Sequence, residues 1–259
     1  MKTYKDNKKW LWLLSVLYPT VGIPGLWMHY LTENTLWLLY PFVITYIFTP
    51  FLDTYFGEDN SNHPDEVQSD LEKISYYKIL TYIAVPIHIF VFFISAFYIG
   101  LIPLSLLEIL LISASAGLVS GIAINTGHEL GHKKTKIERS LAKIVLSIPA
   151  YGHFTIEHNR GHHSNVSTPE DAASAKMGEN IYEFALREMP ESFKNAISIE
   201  KKRLHRLGKS FWCFDNELMQ SFSLTLIFQV GLLISFGLVM VPFLLVHNLF
   251  AWWQLTSAN

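Results

Sequence analysis

Six of the eleven histidines lie between positions 128 and 163, and their spacing repeats. His128 and His132 stand four residues apart, as do His158 and His162, and His163 follows directly. On a helix, an i,i+4 pair presents both imidazoles on one face. Neutral imidazole is the commonest protein metal ligand near neutral pH and suits iron, zinc and copper alike. Two such pairs and an adjoining histidine predict a metal site built from His128, His132, His158, His162 and His163. Glu129 and Glu157 each adjoin a candidate ligand. They read best as carboxylates that orient an imidazole from behind, against direct ligation or ordinary surface charge. His153, five residues before His158, fits an orienting partner or a surface residue equally well.

The choice of metal follows from ligand number. His128-Glu-Leu-Gly-His132 fits the His-Glu-x-x-His pattern of zinc peptidases, in which the glutamate is the general base. A catalytic zinc needs three protein ligands and one open position, and five clustered histidines exceed that demand. Two metals, or a larger site, answer it better. Nitrogen-rich surroundings with open positions can hold ferrous iron and activate dioxygen.

The elements that must position these residues belong to a membrane protein. The 259-residue chain is 50% hydrophobic and only 16% charged, where about 25% charged is usual for a soluble domain. The single Cys213 excludes an internal disulfide and a cysteine-built zinc site. A net charge of −2 provides no global field for nucleic acid, and none is expected as a partner. No small-residue cleavage site follows the first apolar run, so that run reads as a retained span.

Uncharged stretches predict six spans, near residues 10–31, 36–52, 79–99, 103–127, 219–237 and 241–258, a crossing needing about 20 apolar residues. The fold class is therefore an all-α, polytopic integral membrane bundle, one domain over 1–259. Pro19 and Pro24 should kink the first span. The acidic segment 53–78 reads as a solvated connector, and 128–217 as an extramembrane lobe with short helices near 137–148 and 181–187. The fourth span delivers His128 and His132 as it leaves the hydrocarbon. All 20 Lys and Arg fall in three segments: four at the N-terminus, two in the 53–78 loop, fourteen in the lobe. The hairpins near 32, 101 and 240 carry none. The positive-inside rule then places the N-terminus and both histidine clusters in the cytoplasm.

Other polar residues have plainer readings. His88 and His247 lie within spans and should hydrogen-bond inside the bundle. His29, His63 and His205 read as surface residues. Trp10, Trp12, Trp252 and Trp253 read as interfacial anchors. The run Lys201-Lys-Arg-Leu-His-Arg206 reads as a solvated basic face.

Two stretches carry a resemblance. Asn125-Thr-Gly-His-Glu-Leu-Gly-His-Lys133 and Tyr151-Gly-His-Phe-Thr-Ile-Glu-His-Asn-Arg-Gly-His-His163 resemble the first two histidine boxes of membrane-bound alkane 1-monooxygenases. Leu52-Asp-Thr-Tyr-Phe-Gly-Glu-Asp59, Thr81-Tyr-Ile-Ala-Val-Pro-Ile-His88, Lys176-Met-Gly-Glu-Asn-Ile-Tyr182, Phe214-Asp-Asn-Glu217 and Trp252-Trp-Gln-Leu-Thr-Ser-Ala-Asn259 are similar to the same family. The boxes alone also suit membrane desaturases and xylene-type hydroxylases; the flanking segments favour the alkane family.

The resemblance implies six transmembrane helices in a bacterial inner membrane and two non-haem irons held mainly by histidine. It implies hydroxylation of n-alkanes by dioxygen to primary alcohols, with electrons from rubredoxin and its NADH-dependent rubredoxin reductase. An alkane methyl offers no acidic proton, so an oxidising cofactor must carry the chemistry. The family continues with an Asn-Tyr-x-Glu-His-Tyr-Gly stretch and a further histidine box. The chain is therefore expected to be a fragment, lacking part of its metal shell and incomplete for activity. The alternatives are an intramembrane zinc peptidase using Glu129 and a non-catalytic metal-binding or transport protein.

Overall fold

The computed structural model describes residues 6–58, 66–67, 71 and 74–256. Most of the acidic connector (Asp59, Asp65, Asp70 and Glu72 included), His63, the first five residues and residues 257–259 lie outside the described residues.

Helix is the only regular structure among the described residues. Five helical runs are long and apolar enough to cross a membrane. These are α1 (Lys9–Thr32), α2 (Thr35–Phe56), α3 (Ser75–Leu101), α4 (Leu106–Gly131) and a 40-residue run, Glu217–Thr256. That last run breaks at a 3-10 turn, Gly237–Val239, into α8 (Glu217–Phe236) and α9 (Met240–Thr256). Gly237 takes φ 75°, which glycine reaches without steric cost. Gln229 and Asn248 then hydrogen-bond each other across the turn, so α8 and α9 lie side by side as a hairpin. The bundle is all-α and polytopic, as the uncharged stretches predict. Pro19 occupies a 3-10 turn that interrupts α1, Tyr18–Val21. Pro24 sits inside the regular helix that follows, Gly22–Thr32, and produces no second break.

The lobe carries α5 (Lys136–Ser147), a composite helix α6 over residues 154–165, and α7 (Ile181–Arg206). Local sequence starts these elements, because each N-terminus must satisfy free N–H groups. Ser105 and Glu108 form a reciprocal capping box at α4, and Asn180 and Glu183 form another at α7. Thr135 caps α5 and Asn216 caps α8. The expectation of a short helix at 181–187 is corrected: α7 runs 26 residues and passes straight through Pro190. Its buried residues Phe184, Ala185, Glu188, Ser192, Ala196, Glu200 and Leu204 make one continuous stripe, so packing sustains the helix beyond the proline.

Helix α4 is the central strut, packing along α9, α5 and α3. Small residues on it allow that approach. A Cβ at Gly117 would stand 2.7 Å from the His247 carbonyl oxygen, and one at Gly121 would stand 2.5 Å from Gln254 Cβ. Such small-residue spacing brings membrane helices into backbone contact. Fully buried His247 shares a hydrogen bond with Ser120 across this seam at 2.8 Å, as expected of a bundle histidine. His88 is buried too, with Nε2 3.5 Å from Thr126 Oγ1.

Two surface assignments are corrected. His29 is buried between Tyr98 (2.7 Å) and Glu108 (3.1 Å), which Thr35 also bonds. This clasp joins α1, α2, α3 and α4 at the bundle end opposite the lobe, and nothing in local sequence marks it. Trp252 is no interfacial anchor: its indole N–H donates to the Pro149 carbonyl at 2.6 Å, and Tyr151 lies against its ring. Trp253 stacks on Tyr182 of α7. Trp10 and Trp12 are exposed on α1, and His205 is exposed on α7.

Candidate metal centre

Helix α4 ends on the first histidine pair, and α6 carries the second cluster against it. The His132 backbone N–H bonds the His128 carbonyl, so this pair keeps α-helical spacing, with its Nε2 atoms 2.8 Å apart. The second cluster behaves differently. Residues His158–His162 form a π turn in which the His163 N–H bonds the His158 carbonyl, five residues back. Turns of this kind are rare and recur at functional sites. Here the turn brings His158 and His163 together, with Nε2 atoms 3.1 Å apart.

Four histidines thereby converge. His128, His132, His158 and His163 each offer a ring nitrogen, and these nitrogens all lie within 4.8 Å of one another. An ion with nitrogen bonds of about 2.0–2.1 Å can gather that spread by small ring rotations. The donor set therefore fits a metal that accepts imidazole. Burial and then the neighbouring His128 and His163 push His158 down to about 3. His132 is lowered by burial and then by His163. Both rings stay neutral near pH 7, the form that binds metal.

His162, the fifth expected ligand, stands outside the group of four. Its Nδ1 lies 3.0 and 3.1 Å from the two oxygens of buried Asp171. Asp171 also accepts from the Ser174 hydroxyl and the Ala173 N–H. Arg187 of α7 anchors that loop by donating to the Ala172 and Ser174 carbonyls and to Glu179. Sequence reading missed Asp171; the only signal was a carboxylate nine residues beyond His162, with no period to mark it. No second group of three or more metal-type ligands gathers among the described residues.

The remaining candidates separate. Glu129 is exposed, close enough to favour charge on His132, and makes no side-chain hydrogen bond among the described residues. Glu157 is buried beneath the cluster, and its Oε1 has no hydrogen-bond partner among the described residues. Burial first, then Asp171 and Glu188, pushes its carboxyl up to about 7. His153 is buried with both ring nitrogens unpartnered among the described residues, and burial alone pushes it down to about 4.

His153 lines an apolar cavity of about 860 Å³ between α7 and α9, walled also by Tyr151, Met189, Phe193, Phe250 and Trp252. A run of stacked rings links that wall to the histidines. Tyr151 stacks on Phe154 at 5.6 Å, Phe154 on His158 at 4.9 Å, and His158 on His162 at 5.2 Å.

Comparison with known proteins places this arrangement. A family model described as fatty acid desaturase matches residues 103–258, which include His128, His132, His153, His158, His162 and His163. Alkane 1-monooxygenase 1 of Alcanivorax borkumensis is 48% identical over 99% of this chain and 63% of its own length. The alkane 1-monooxygenase of Ectopseudomonas oleovorans is 49% identical over 99% of this chain and 64% of its own. Alkane 1-monooxygenase 2 of Pseudomonas aeruginosa is 30% identical over the whole of this chain and 69% of its own. The chain belongs to the alkane 1-monooxygenase family. It spans 63–64% of the length of the first two relatives.

Proposed function

We propose that this chain forms the membrane-embedded, metal-holding part of an alkane 1-monooxygenase, which hydroxylates the terminal methyl of an n-alkane with dioxygen. The observation that carries this reading is the convergence of four imidazole nitrogens at the lobe-side end of an apolar bundle. His128, His132, His158 and His163 hold one non-haem iron, and His162, fixed by Asp171, offers Nε2 to a second. When bound, such iron supplies the activation of dioxygen that an unactivated methyl requires.

The other residues bind, orient and exclude. A carboxylate on Nδ1 selects the His162 tautomer whose Nε2 lone pair is free. The α7–α9 cavity is lined by side chains suited to a hydrocarbon, and the Tyr151–Phe154 layer lies between it and His158. Buried Glu157 lies within electrostatic reach of His162, and buried His153 lines the apolar cavity. The lobe faces the cytoplasm of an inner-membrane protein, since all basic segments lie on its side. There rubredoxin, reduced by its reductase, delivers electrons.

A zinc peptidase reading is weaker on two counts. Four nitrogens exceed the three protein ligands of a catalytic zinc, and no hydrogen bond among the described residues orients Glu129 as a base. Isotope labelling tests the choice. With the full protein, rubredoxin, reductase and an n-alkane under labelled dioxygen, one labelled oxygen atom should appear in the primary alcohol. Unlabelled alcohol, or peptide cleavage without oxygen consumption, would overturn the proposal.

A further inference from the structure

A second, polar pocket of about 310 Å³ opens beside the histidine cluster. It is lined by Lys133, Lys134, Arg139, Lys143, Arg160 and Glu217, together with Thr155 and Asn159 of α6. Five cationic side chains thus face one carboxylate. That carboxylate is already engaged: Arg139 reaches Glu217 Oε1 at 3.1 Å and Arg160 reaches Oε2 at 2.8 Å. Arg160 also approaches Glu200 at 3.4 Å, but Glu200 is bound more closely by Arg203 at 2.6 Å. The half-buried Lys143 donates to Gln220, a neutral acceptor, at 2.5 Å. Lys133 and Lys134 form no ion pair among the described residues. The pocket therefore holds an uncompensated positive charge in a concave, partly desolvated space, where an anion gains most.

Its position identifies the anion. Gly131, the last residue of α4, and Glu217, the first residue of α8, both lie on its wall. These are the lobe-side ends of two apolar helices, the level at which a bilayer's headgroups begin. Lys78, in the first turn of α3, pairs with Glu138 of α5 at 3.4 Å on this same lobe-side end. A basic pocket between spans on the cytoplasmic side suits a phospholipid headgroup. Its volume admits a phosphate with its polar substituent, and its concavity is unlike the broad, shallow face that a protein partner needs.

We infer that this pocket binds the phosphate headgroup of an anionic phospholipid, next to the metal-holding helices. The inference does not depend on the hydroxylase reading. Asn159, on the pocket wall, donates to the Gly131 carbonyl at 3.1 Å and so ties α6 to the end of α4. A bound headgroup would sit against this joint between the two histidine-bearing helices.

The test uses the full chain extracted from membranes and stripped of lipid. It is mixed with equal amounts of short-chain phosphatidylglycerol and phosphatidylcholine, and bound lipid is counted by native mass spectrometry. Phosphatidylglycerol should be retained selectively, and added inorganic phosphate should not displace it. The triple variant Lys133→Gln, Lys134→Gln, Lys143→Gln should lose the selectivity. Lys143→Arg, and the distant pair Lys201→Gln, Lys202→Gln, should keep it. Equal retention of both lipids by the unaltered chain would overturn the inference without any variant. Full displacement by inorganic phosphate would assign the pocket to the free ion instead. Selectivity that survives the triple variant, with slower reduction by an acidic electron donor, would assign the pocket to a protein.

Discussion

The His163 backbone N–H bonds the His158 carbonyl, and the two rings then meet with their Nε2 atoms 3.1 Å apart. One extra residue in that turn decides which histidine joins the cluster. His163 enters the group of four and His162 turns to Asp171.

Metal content should follow that division. In purified full-length protein, His128→Ala, His132→Ala, His158→Ala or His163→Ala should each abolish tight retention of the first iron. His162→Ala should instead lower total iron without emptying the first position. Elemental analysis with iron spectroscopy checks both. One stoichiometric zinc and no iron in the unaltered protein would refute the assignment.

Asp171→Asn should act on metal through His162. Losing the carboxylate frees the imidazole to change tautomer and orientation, an effect worth about 10- to 100-fold in metal affinity or activity. The iron spectrum should change while the helical content stays constant. An unaltered spectrum would make Asp171 a loop anchor only.

His153 makes stability depend on acid. Its folded-state value of about 4 lies below the ordinary 6.5 because burial disfavours the charged ring. Between those values the unfolded chain binds the extra proton, so stability falls as pH drops from 6.5 towards 4. The loss should be of order 3 kcal/mol for a shift of that size. His153→Leu should flatten the acid side of a melting-temperature profile in detergent. A profile as steep as that of the unaltered chain would show that other groups cause the loss.

Gly121→Val should separate α4 from α9. Its Cβ would press on Gln254 Cβ at 2.5 Å, and overpacking of this kind costs about 1–3 kcal/mol. The melting temperature should fall, and iron retention should fall with it because α4 carries His128. A variant as stable as the parent would mean that the helices part freely.

Electron delivery should be sensitive to salt. The lobe is rich in Lys and Arg, with fourteen between positions 133 and 209, and an acidic donor protein would be steered to it. The second-order rate of reduction by rubredoxin should drop as ionic strength rises, because the Debye length shortens to about 8 Å at 0.15 M. A rate independent of salt would exclude steering.

The sequence by itself determined the class of fold and pointed to the four histidines that gather into one group. Uncharged runs of span length are a one-dimensional property, and so is an i,i+4 pair such as His128 and His132, whose geometry an α-helix dictates. The capping residues Ser105, Thr135, Asn180 and Asn216 were likewise local and mark where helices begin. What sequence periodicity could not settle was the second cluster. The assumption of α-helical spacing paired His158 with His162, whereas a π turn pairs His158 with His163.

Other placements needed contacts distant in sequence. His29 is buried because Glu108, 79 residues away, and Tyr98, 69 residues away, close around it. Trp252 is a packing residue because Pro149, 103 positions earlier, accepts its N–H. The 26-residue length of α7 came from a buried stripe that Pro190 was too weak to interrupt. Local rules fix the elements, but burial and partner choice depend on which surfaces meet when the helices pack, and only the tertiary structure decides that.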